Sequence, residues 1–336
     1  MIPPSALEPL SHGGDLDAAR KLFPGAPEPF LDLSTGINPH PYPIPPFAPE
    51  LFSQLPEPAA LERLKALAAA FYGAPSAGNV VCAPGSQILV ALSAGFVPPG
   101  RAIVLGPTYA EHARAAELAG HEVSTVSALE ALGDGDLAIV VNPNNPDGRV
   151  VARQELLSLA ARLRGRDGLL VVDEAFMDVG PSEEGLSSAV DCGNVVVLRS
   201  LGKSFGLAGL RLSFALAAPD LAARLGANLG PWPVSGVALA IGSRALADRR
   251  WIETTRISLA AAAARLNTML QANGLEVVGG TALFRLVRTD EASLLFDRLG
   301  RAGIFVRRFA YEPQWLRFGL PGAEPEWQRL EAALRG

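Results

Sequence analysis

The stretch NVVVLRSLGKSFGLAGLR, residues 194–211, joins a continuous apolar run to a turn rich in glycine and serine that carries Lys203. Continuous β-branched runs of this kind are typical of strands that are buried on both faces of a parallel sheet. Lys203 is one of only three lysines among the 29 lysines and arginines of the chain. Arginine matches the charge of lysine but cannot become a nucleophilic amine. The stretch therefore indicates a buried strand that ends at a functional amine.

Other short apolar runs alternate with helical segments on the N-terminal side of this stretch. The runs are NVVCAPG at 79–85, AIVLGPTY at 102–109, LAIVVNPNNPDG at 137–148 and GLLVVDEAF at 168–176. Such alternation predicts an α/β fold in which helices cover both faces of a largely parallel sheet. After Trp232 the pattern changes to one long helix followed by mixed strands and helices. We predict a large domain over residues 45–248 and a smaller α+β domain formed by residues 1–44 and 249–336.

Composition argues against several classes of protein. The net charge is −5 and no basic stripe is present, which argues against a nucleic-acid-binding protein. The first ten residues lack the features of a signal peptide, and no apolar run predicts a membrane span. Cys82 and Cys192 show no metal-binding spacing and fit a reduced, cytoplasmic protein. The proline-rich residues 1–58 are predicted to form an extended arm with little to pack on in its own chain. We predict no metal site and assign no role to His40, His112 and His121.

Polar side chains follow the predicted strands at the edge where ligands bind in open α/β sheets. Gly85 and Ser86 open a helix, with Ser86 as its N-cap, and suit a phosphate group. Tyr109 could stack on a flat ring. Pyridoxal phosphate (PLP) needs a phosphate site, a lysine for the Schiff base and an acid for its ring nitrogen. The remaining candidates at strand ends are Asn145, Asp173, Ser200, Lys203 and Arg211.

The order and spacing of these residues resemble the PLP-dependent aminotransferases of fold type I over essentially the whole chain. The shared motifs are Asn-Pro-x-Gly at 145–148, Asp-Glu-Ala at 173–175, and Ser-x-x-Lys at 200–203 with an arginine eight residues on. The resemblance implies a large domain with a mostly parallel seven-stranded sheet between helices, plus a smaller α+β domain. It also implies a homodimer with active sites at the subunit interface.

The resemblance further implies a role for each candidate residue. Lys203 would form the Schiff base with PLP, and Asp173 would keep the ring nitrogen protonated. Arg317, in WLRFGL, would bind the carboxylate of the substrate. The phosphate of the cofactor would be held by Gly85, Ser86, Ser200 and Arg211, its ring by Tyr109, and its phenolic oxygen by Asn145.

Three further segments narrow the resemblance. HGGD at 12–15, LDLSTGINP at 31–39 and DEAFMD at 173–178 resemble the threonine-phosphate decarboxylases of cobalamin biosynthesis, which are close to the histidinol-phosphate aminotransferases. This implies a small phosphorylated amino acid as substrate, namely L-threonine O-3-phosphate, decarboxylated to (R)-1-amino-2-propanol phosphate. The residues expected near the substrate phosphate are Arg307, His12 and Ser34.

Two positions depart from these families, and two other functions stay open. Asp15 stands where the common form has asparagine, and Phe176 stands where many relatives have tyrosine. Asp15 would bring a carboxylate near the substrate phosphate, and Phe176 removes one donor from the phenolic oxygen of the cofactor. An aminotransferase, such as one for histidinol phosphate, would use the same cofactor pocket. A binding protein of the PLP fold without turnover is the more remote alternative.

Overall fold

The computed structural model describes residues 12–335. Gly336 and the first 11 residues of the predicted arm lie outside this range. The predicted lack of a signal peptide concerns those first residues. The strands within that range are β1 (Leu31–Leu33), β2 (Val80–Ala83), β3 (Arg101–Leu105), β4 (Glu122–Val126), β5 (Leu137–Val141), β6 (Leu169–Asp173), β7 (Val195–Ser200), β8 (Ser213–Ala217), β9 (Glu276–Thr281), β10 (Phe284–Arg288), β11 (Ile304–Arg308) and β12 (Trp315–Gly319). The α-helices are α1 (Leu16–Leu22), α2 (Glu50–Ser53), α3 (Pro58–Tyr72), α4 (Ser86–Ala94), α5 (Glu111–Leu118), α6 (Arg153–Arg164), α7 (Pro219–Leu229), α8 (Gly236–Ala247), α9 (Arg249–Ala272), α10 (Ala292–Arg301) and α11 (Glu324–Arg335).

Seven strands form the larger sheet, in the order β2-β8-β7-β6-β5-β3-β4. All neighbours from β7 to β4 are parallel, whereas β8 runs antiparallel to β7 and β2. Every residue of β5, β6 and β7 is buried, because helices cover both faces of the sheet. This architecture confirms the predicted fold. Asp173 is paired with Val141 on β5 and with Leu198 on β7, so the functional strand ends lie at one edge.

The smaller sheet has the order β1-β11-β12-β10-β9 and is mixed. Its edge strand β1 comes from the N-terminal region and pairs in parallel with β11. A separate apolar core, which includes Leu33, Phe284 and Phe318, lies under this sheet. Within residues 12–335, no helix is both long and apolar enough to span a bilayer.

Part of the proline-rich arm packs on the turn that carries Lys203. The Asn38 backbone N–H donates to the Lys203 carbonyl at 3.0 Å, and the Asn38 side chain donates to the Ser204 carbonyl at 2.8 Å. The Tyr42 N–H donates to the Phe205 carbonyl at 2.8 Å. The expectation that the arm has little to pack on in its own chain is therefore wrong for this segment. Its backbone supplies hydrogen-bond partners that the irregular Lys203 turn would otherwise lack.

The turn after β5 is held against the smaller sheet by backbone contact. Gly148 has a φ of +76°, and a Cβ there would overlap the Gly280 carbonyl. The Gly280 N–H donates to the Asp147 carbonyl at 2.8 Å. Only glycine combines this positive φ with so close an approach. The contact joins the two sheets directly beside Asn145.

Candidate active site

One cavity of about 230 Å³ lies between the two sheets at the carboxyl ends of the parallel strands. It brings together residues that are far apart in sequence, from the N-terminal segment to β12. The predicted site residues that line it are His12, Ser34, Ser86, Tyr109, Asn145, Asp173, Lys203, Arg307 and Arg317. The other predicted residues, Gly85, Ser200 and Arg211, lie just outside this lining. The cavity is therefore the candidate active site.

Lys203 is the only lysine among the residues that line this cavity. Burial, and then the nearby charge of Arg317, lower the pKa of its side chain to about 8. Its Nζ lies 5.7 Å from the centroid of the Phe176 ring. A lowered pKa leaves a substantial neutral fraction near neutral pH, and only the neutral amine is a nucleophile. The environment thus suits Lys203 as a covalent attachment point.

Asp173 has a partner that the sequence did not indicate. Its Oδ2 lies 2.9 Å from His112 Nε2, and both residues are buried. Its Oδ1 accepts a hydrogen bond from the Ala175 N–H at 3.0 Å. The two contacts fix the carboxylate plane and satisfy much of its hydrogen-bonding capacity. No role for His112 is predicted from the sequence, where its position three residues after Tyr109 is the only signal, and the two ring centroids lie 5.9 Å apart.

Arg211 lies against the start of α4, beside the cavity. Gly85 is the N-cap of α4 and has a φ of +97°, so the prediction that Ser86 caps this helix is wrong. A Cβ at Gly85 would overlap the Arg211 guanidinium, which lies against the backbone there. Helix N–H groups and an arginine beside them form a suitable anion site.

Ser200 is the last residue of β7. Its Oγ accepts a hydrogen bond from the Gly202 N–H at 3.1 Å and contacts Ser213 Oγ at 3.2 Å. Together with α4 and Arg211, these hydroxyls fit the phosphate of a flat aromatic cofactor such as PLP. The ring would lie near Tyr109, whose pKa is raised to about 12 by burial.

Arg317 connects the cavity to Asn145 and to the N-terminal segment. Its Nη1 donates to Asn145 Oδ1, and its Nη2 donates to the Ser34 carbonyl at 2.7 Å. Its buried Nε has no hydrogen-bond partner among the described residues. Burial lowers the pKa of this guanidinium to about 10. A buried cation with an unsatisfied donor is suited to bind an anion.

Arg307 is opposite Arg317 on the adjacent strand. The two residues are paired in register between β11 and β12, and both line the cavity. Burial lowers the pKa of Arg307, which means that the protein desolvates this cation. Two neighbouring cations favour a ligand with two anionic groups.

His12 and Ser34 lie in the segments that close the cavity. His12 Nε2 contacts Glu111 Oε1 at 2.7 Å. The Ser34 hydroxyl donates to Asp32 at 2.5 Å and accepts from the Gly14 N–H at 2.7 Å. Ser34 therefore also fixes the segment that carries His12.

The two departures from the family patterns have structural roles. Asp15 caps α1, because its Oδ1 accepts a hydrogen bond from the Ala18 N–H at 2.9 Å. Phe176 is buried and packs edge-on against Phe284, with ring centroids 5.2 Å apart. The Asp15 carboxylate thus caps a helix, and Phe176 forms part of the apolar lining of the cavity.

Residues that could bind a metal ion do not cluster in the described part of the chain. Within it, no group of three or more His, Cys, Asp or Glu residues is arranged to hold a metal ion. Cys82 and Cys192 are free thiols.

Comparison with known proteins gives consistent results. The family model described as aminotransferase class I and II matches residues 48–334. A threonine-phosphate decarboxylase of Sinorhizobium sp is 42% identical over 330 residues, covering 97% of this chain and 98% of that protein. A histidinol-phosphate aminotransferase of Mycobacterium bovis is 35% identical over 265 residues, covering 73% of this chain and 71% of that protein.

A solved structure shows the same fold. The histidinol-phosphate aminotransferase of Sinorhizobium meliloti, in complex with pyridoxal-5'-phosphate, superposes with a TM-score of 0.83 at 22% identity. The match covers 100% of this chain and 96% of that one.

Proposed function

This chain belongs to the class I and II aminotransferase family, and on that premise we propose that it is a PLP-dependent lyase of cobalamin biosynthesis. Its substrate is L-threonine O-3-phosphate, which loses CO₂ to give (R)-1-amino-2-propanol phosphate. The observation that carries the proposal is the placement of Arg307 beside Arg317 in the cavity of Lys203. The pair supplies one cation for each anionic end of a phosphorylated amino acid. The 42% identity to a threonine-phosphate decarboxylase supports the same choice.

The proposed cofactor site uses the residues predicted from the sequence. Lys203 attaches PLP covalently, and Asp173, oriented by His112, holds a proton on the ring nitrogen. When bound, PLP supplies an electron sink for the pair left on Cα. Asn145 would offer its amide nitrogen to the phenolic oxygen, because its Oδ1 already accepts from Arg317. The phosphate would be held by Gly85, Ser86, Ser200 and Arg211, and the ring would be covered by Tyr109.

The reaction requires the substrate carboxylate to be held in one orientation. Arg317 binds that carboxylate, and Arg307 binds the phosphate, so the substrate is fixed at both ends. The Cα–carboxylate bond breaks, CO₂ leaves, and a proton then adds to Cα. Orientation decides which Cα bond breaks, and displacements of about 1 Å are sufficient to change the outcome.

An aminotransferase is the second candidate, supported by the 35% identity to a histidinol-phosphate aminotransferase. It would break the Cα–H bond with the same cofactor residues. A PLP-fold binding protein without turnover would not need Lys203, Asp173 and Arg317 in one cavity. The test is incubation with L-threonine O-3-phosphate while CO₂ and keto acid are both measured. CO₂ alone supports the decarboxylase, keto acid supports the aminotransferase, and neither product supports the binding protein.

Arg307→Ala is expected to reduce kcat/KM for L-threonine O-3-phosphate by roughly 10- to 150-fold. One charge-assisted hydrogen bond contributes about 1.5–3 kcal/mol, and 1.4 kcal/mol corresponds to about a tenfold change. The binding of unphosphorylated L-threonine should change little, because it has no phosphate for Arg307 to hold. Steady-state kinetics with the first compound and spectral titration with the second measure this contrast.

Arg308→Ala is the matched control for this prediction. Arg308 is the next residue on β11, but its guanidinium carbon lies 3.9 Å from the Phe296 ring centroid, and it is not among the residues that line the cavity. Its removal should leave both measurements near wild type. Equal losses for both compounds in Arg307→Ala would show that Arg307 supports the fold or the carboxylate site instead.

The proposal includes a homodimer, for which an exposed apolar surface is the support. Phe52, Leu55 and Trp232 are 72%, 67% and 53% exposed. Pro56 and Trp232 line a shared apolar cavity of about 240 Å³, which places these segments together. Large exposed apolar patches mark interaction sites. Light scattering should give twice the mass of the chain, and Leu55→Asp should give monomers that have lost activity.

Ile257→Asp is the control for the dimer experiment. Ile257 is 74% exposed on α9, and no residue of α9 lines the apolar cavity of Pro56 and Trp232. The variant should stay dimeric and active. A wild-type monomer with full activity would refute the homodimer.

We also propose a cytoplasmic location, because both cysteines are free thiols, as is typical of proteins in a reducing compartment. Cell fractionation tests it, and recovery with a secreted or membrane fraction would contradict it.

A further inference from the structure

Glu111 is a buried carboxylate that has no role in the function proposed above. It is the first residue of α5, and its side chain is 8% exposed. Its Oε1 lies 2.7 Å from His12 Nε2, and its Oε2 accepts from Gln87 Nε2 at 2.8 Å. Arg114 is 3.5 Å from Oε1. A buried carboxylate is tolerated where its oxygens are paired in this way.

His12 lies between this carboxylate and the active-site cavity. His12 lines the cavity, whereas Glu111 is not among the residues that line it. The His12 ring centroid is 5.7 Å from that of Tyr109. Tyr109 lines the same cavity as Arg307. His12 and Arg307, which are far apart in sequence, therefore line the same part of the cavity as Tyr109.

The contact with Glu111 restricts what His12 can do. With Nε2 held by the carboxylate, Nδ1 is the remaining ring nitrogen, and the partner of one nitrogen sets the role of the other. In the imidazolium form both nitrogens donate hydrogen bonds. Nε2 can then donate to Glu111 while Nδ1 donates to an anion.

Charge makes this arrangement selective. A phosphate group near Glu111 would be repelled by the carboxylate if His12 did not stand between them. We propose that Glu111 is a positioning residue that holds His12 toward the substrate phosphate and thereby favours phosphorylated over unphosphorylated amino acids. This inference rests on the proposed function, which supplies the phosphorylated substrate.

The test is a double-mutant cycle in the PLP-loaded, full-length protein with Glu111→Ala, His12→Ala and the double variant. Glu111→Ala is expected to weaken binding of L-threonine O-3-phosphate by about tenfold, as for loss of one charge-assisted hydrogen bond. The loss should appear in KM rather than in kcat, and binding of L-threonine should change less than about twofold. His12→Ala should lose at least as much, because it exposes the Glu111 carboxylate to the phosphate. The double variant should bind no worse than His12→Ala, since Glu111 acts only through His12.

Two further variants separate positioning from folding. Glu111→Gln keeps a hydrogen-bond acceptor for His12 but removes the charge, so it should lose less than Glu111→Ala. Glu117→Ala removes a carboxylate six residues further along α5 and should match wild type. Losses that multiply in the double variant, or equal losses for both amino acids, would overturn the proposal.

Failure of the Glu111 inference can be distinguished from failure of the proposed function. If the wild-type protein forms keto acid instead of CO₂, the decarboxylase assignment fails. The contrast between the two amino acids can still be measured as dissociation constants by spectral titration. If wild type shows no preference for the phosphorylated compound, both the inference and its premise are wrong.

Discussion

Lys203→Arg is expected to abolish turnover. The guanidinium keeps the positive charge but cannot supply a nucleophilic amine for covalent attachment of PLP. In the wild-type protein, the lowered pKa of about 8 makes that amine available near neutral pH. Wild type should absorb in the visible range, whereas the variant should bind PLP only weakly and without a covalent bond.

Borohydride treatment followed by peptide mapping locates the attachment. The cofactor should be fixed to the peptide that contains Lys203. Lys65→Arg is the control, because Lys65 pairs with Glu62 at 3.0 Å on α3 and should be replaceable without loss. Labelling at Lys21 or Lys65 in wild type would rule out the assignment of Lys203.

Asp173→Asn is expected to slow the reaction by about 100-fold or more, the scale of losing one electrostatic stabiliser of a developing charge. The amide keeps the shape of the side chain but cannot hold a proton on the ring nitrogen. His112 would remain beside it, so the pocket should still form and bind PLP. Cofactor content by absorbance and kcat by CO₂ release separate binding from rate.

A near-normal rate in Asp173→Asn would show that the cofactor ring does not lie against this carboxylate. Loss of PLP binding with an unfolded circular dichroism spectrum would show that Asp173 is needed for folding instead. The first result would require a different placement of the ring in the cavity.

Residues at strand ends were predictable from the sequence. Asp173 and Lys203 follow continuous apolar runs, and parallel strands place their carboxyl ends at one edge of a sheet. Local periodicity and turn chemistry are encoded within short windows, so the α/β alternation and the long helix α9 could be identified without coordinates. The resemblance to a family then supplied the role of each residue.

Contacts between distant segments were decided only by the tertiary structure. His112 and Asp173 are 61 residues apart, and His12 and Glu111 are 99 residues apart. Arg317 reaches Asn145 across 172 residues. None of these pairs leaves a local pattern, because a side chain's partner depends on how helices and sheets pack. Local sequence is sufficient to predict which elements form and which chemical groups stand at their ends. Packing of the two sheets decided which groups face one another across the cavity, since close packing allows few relative placements of covered surfaces.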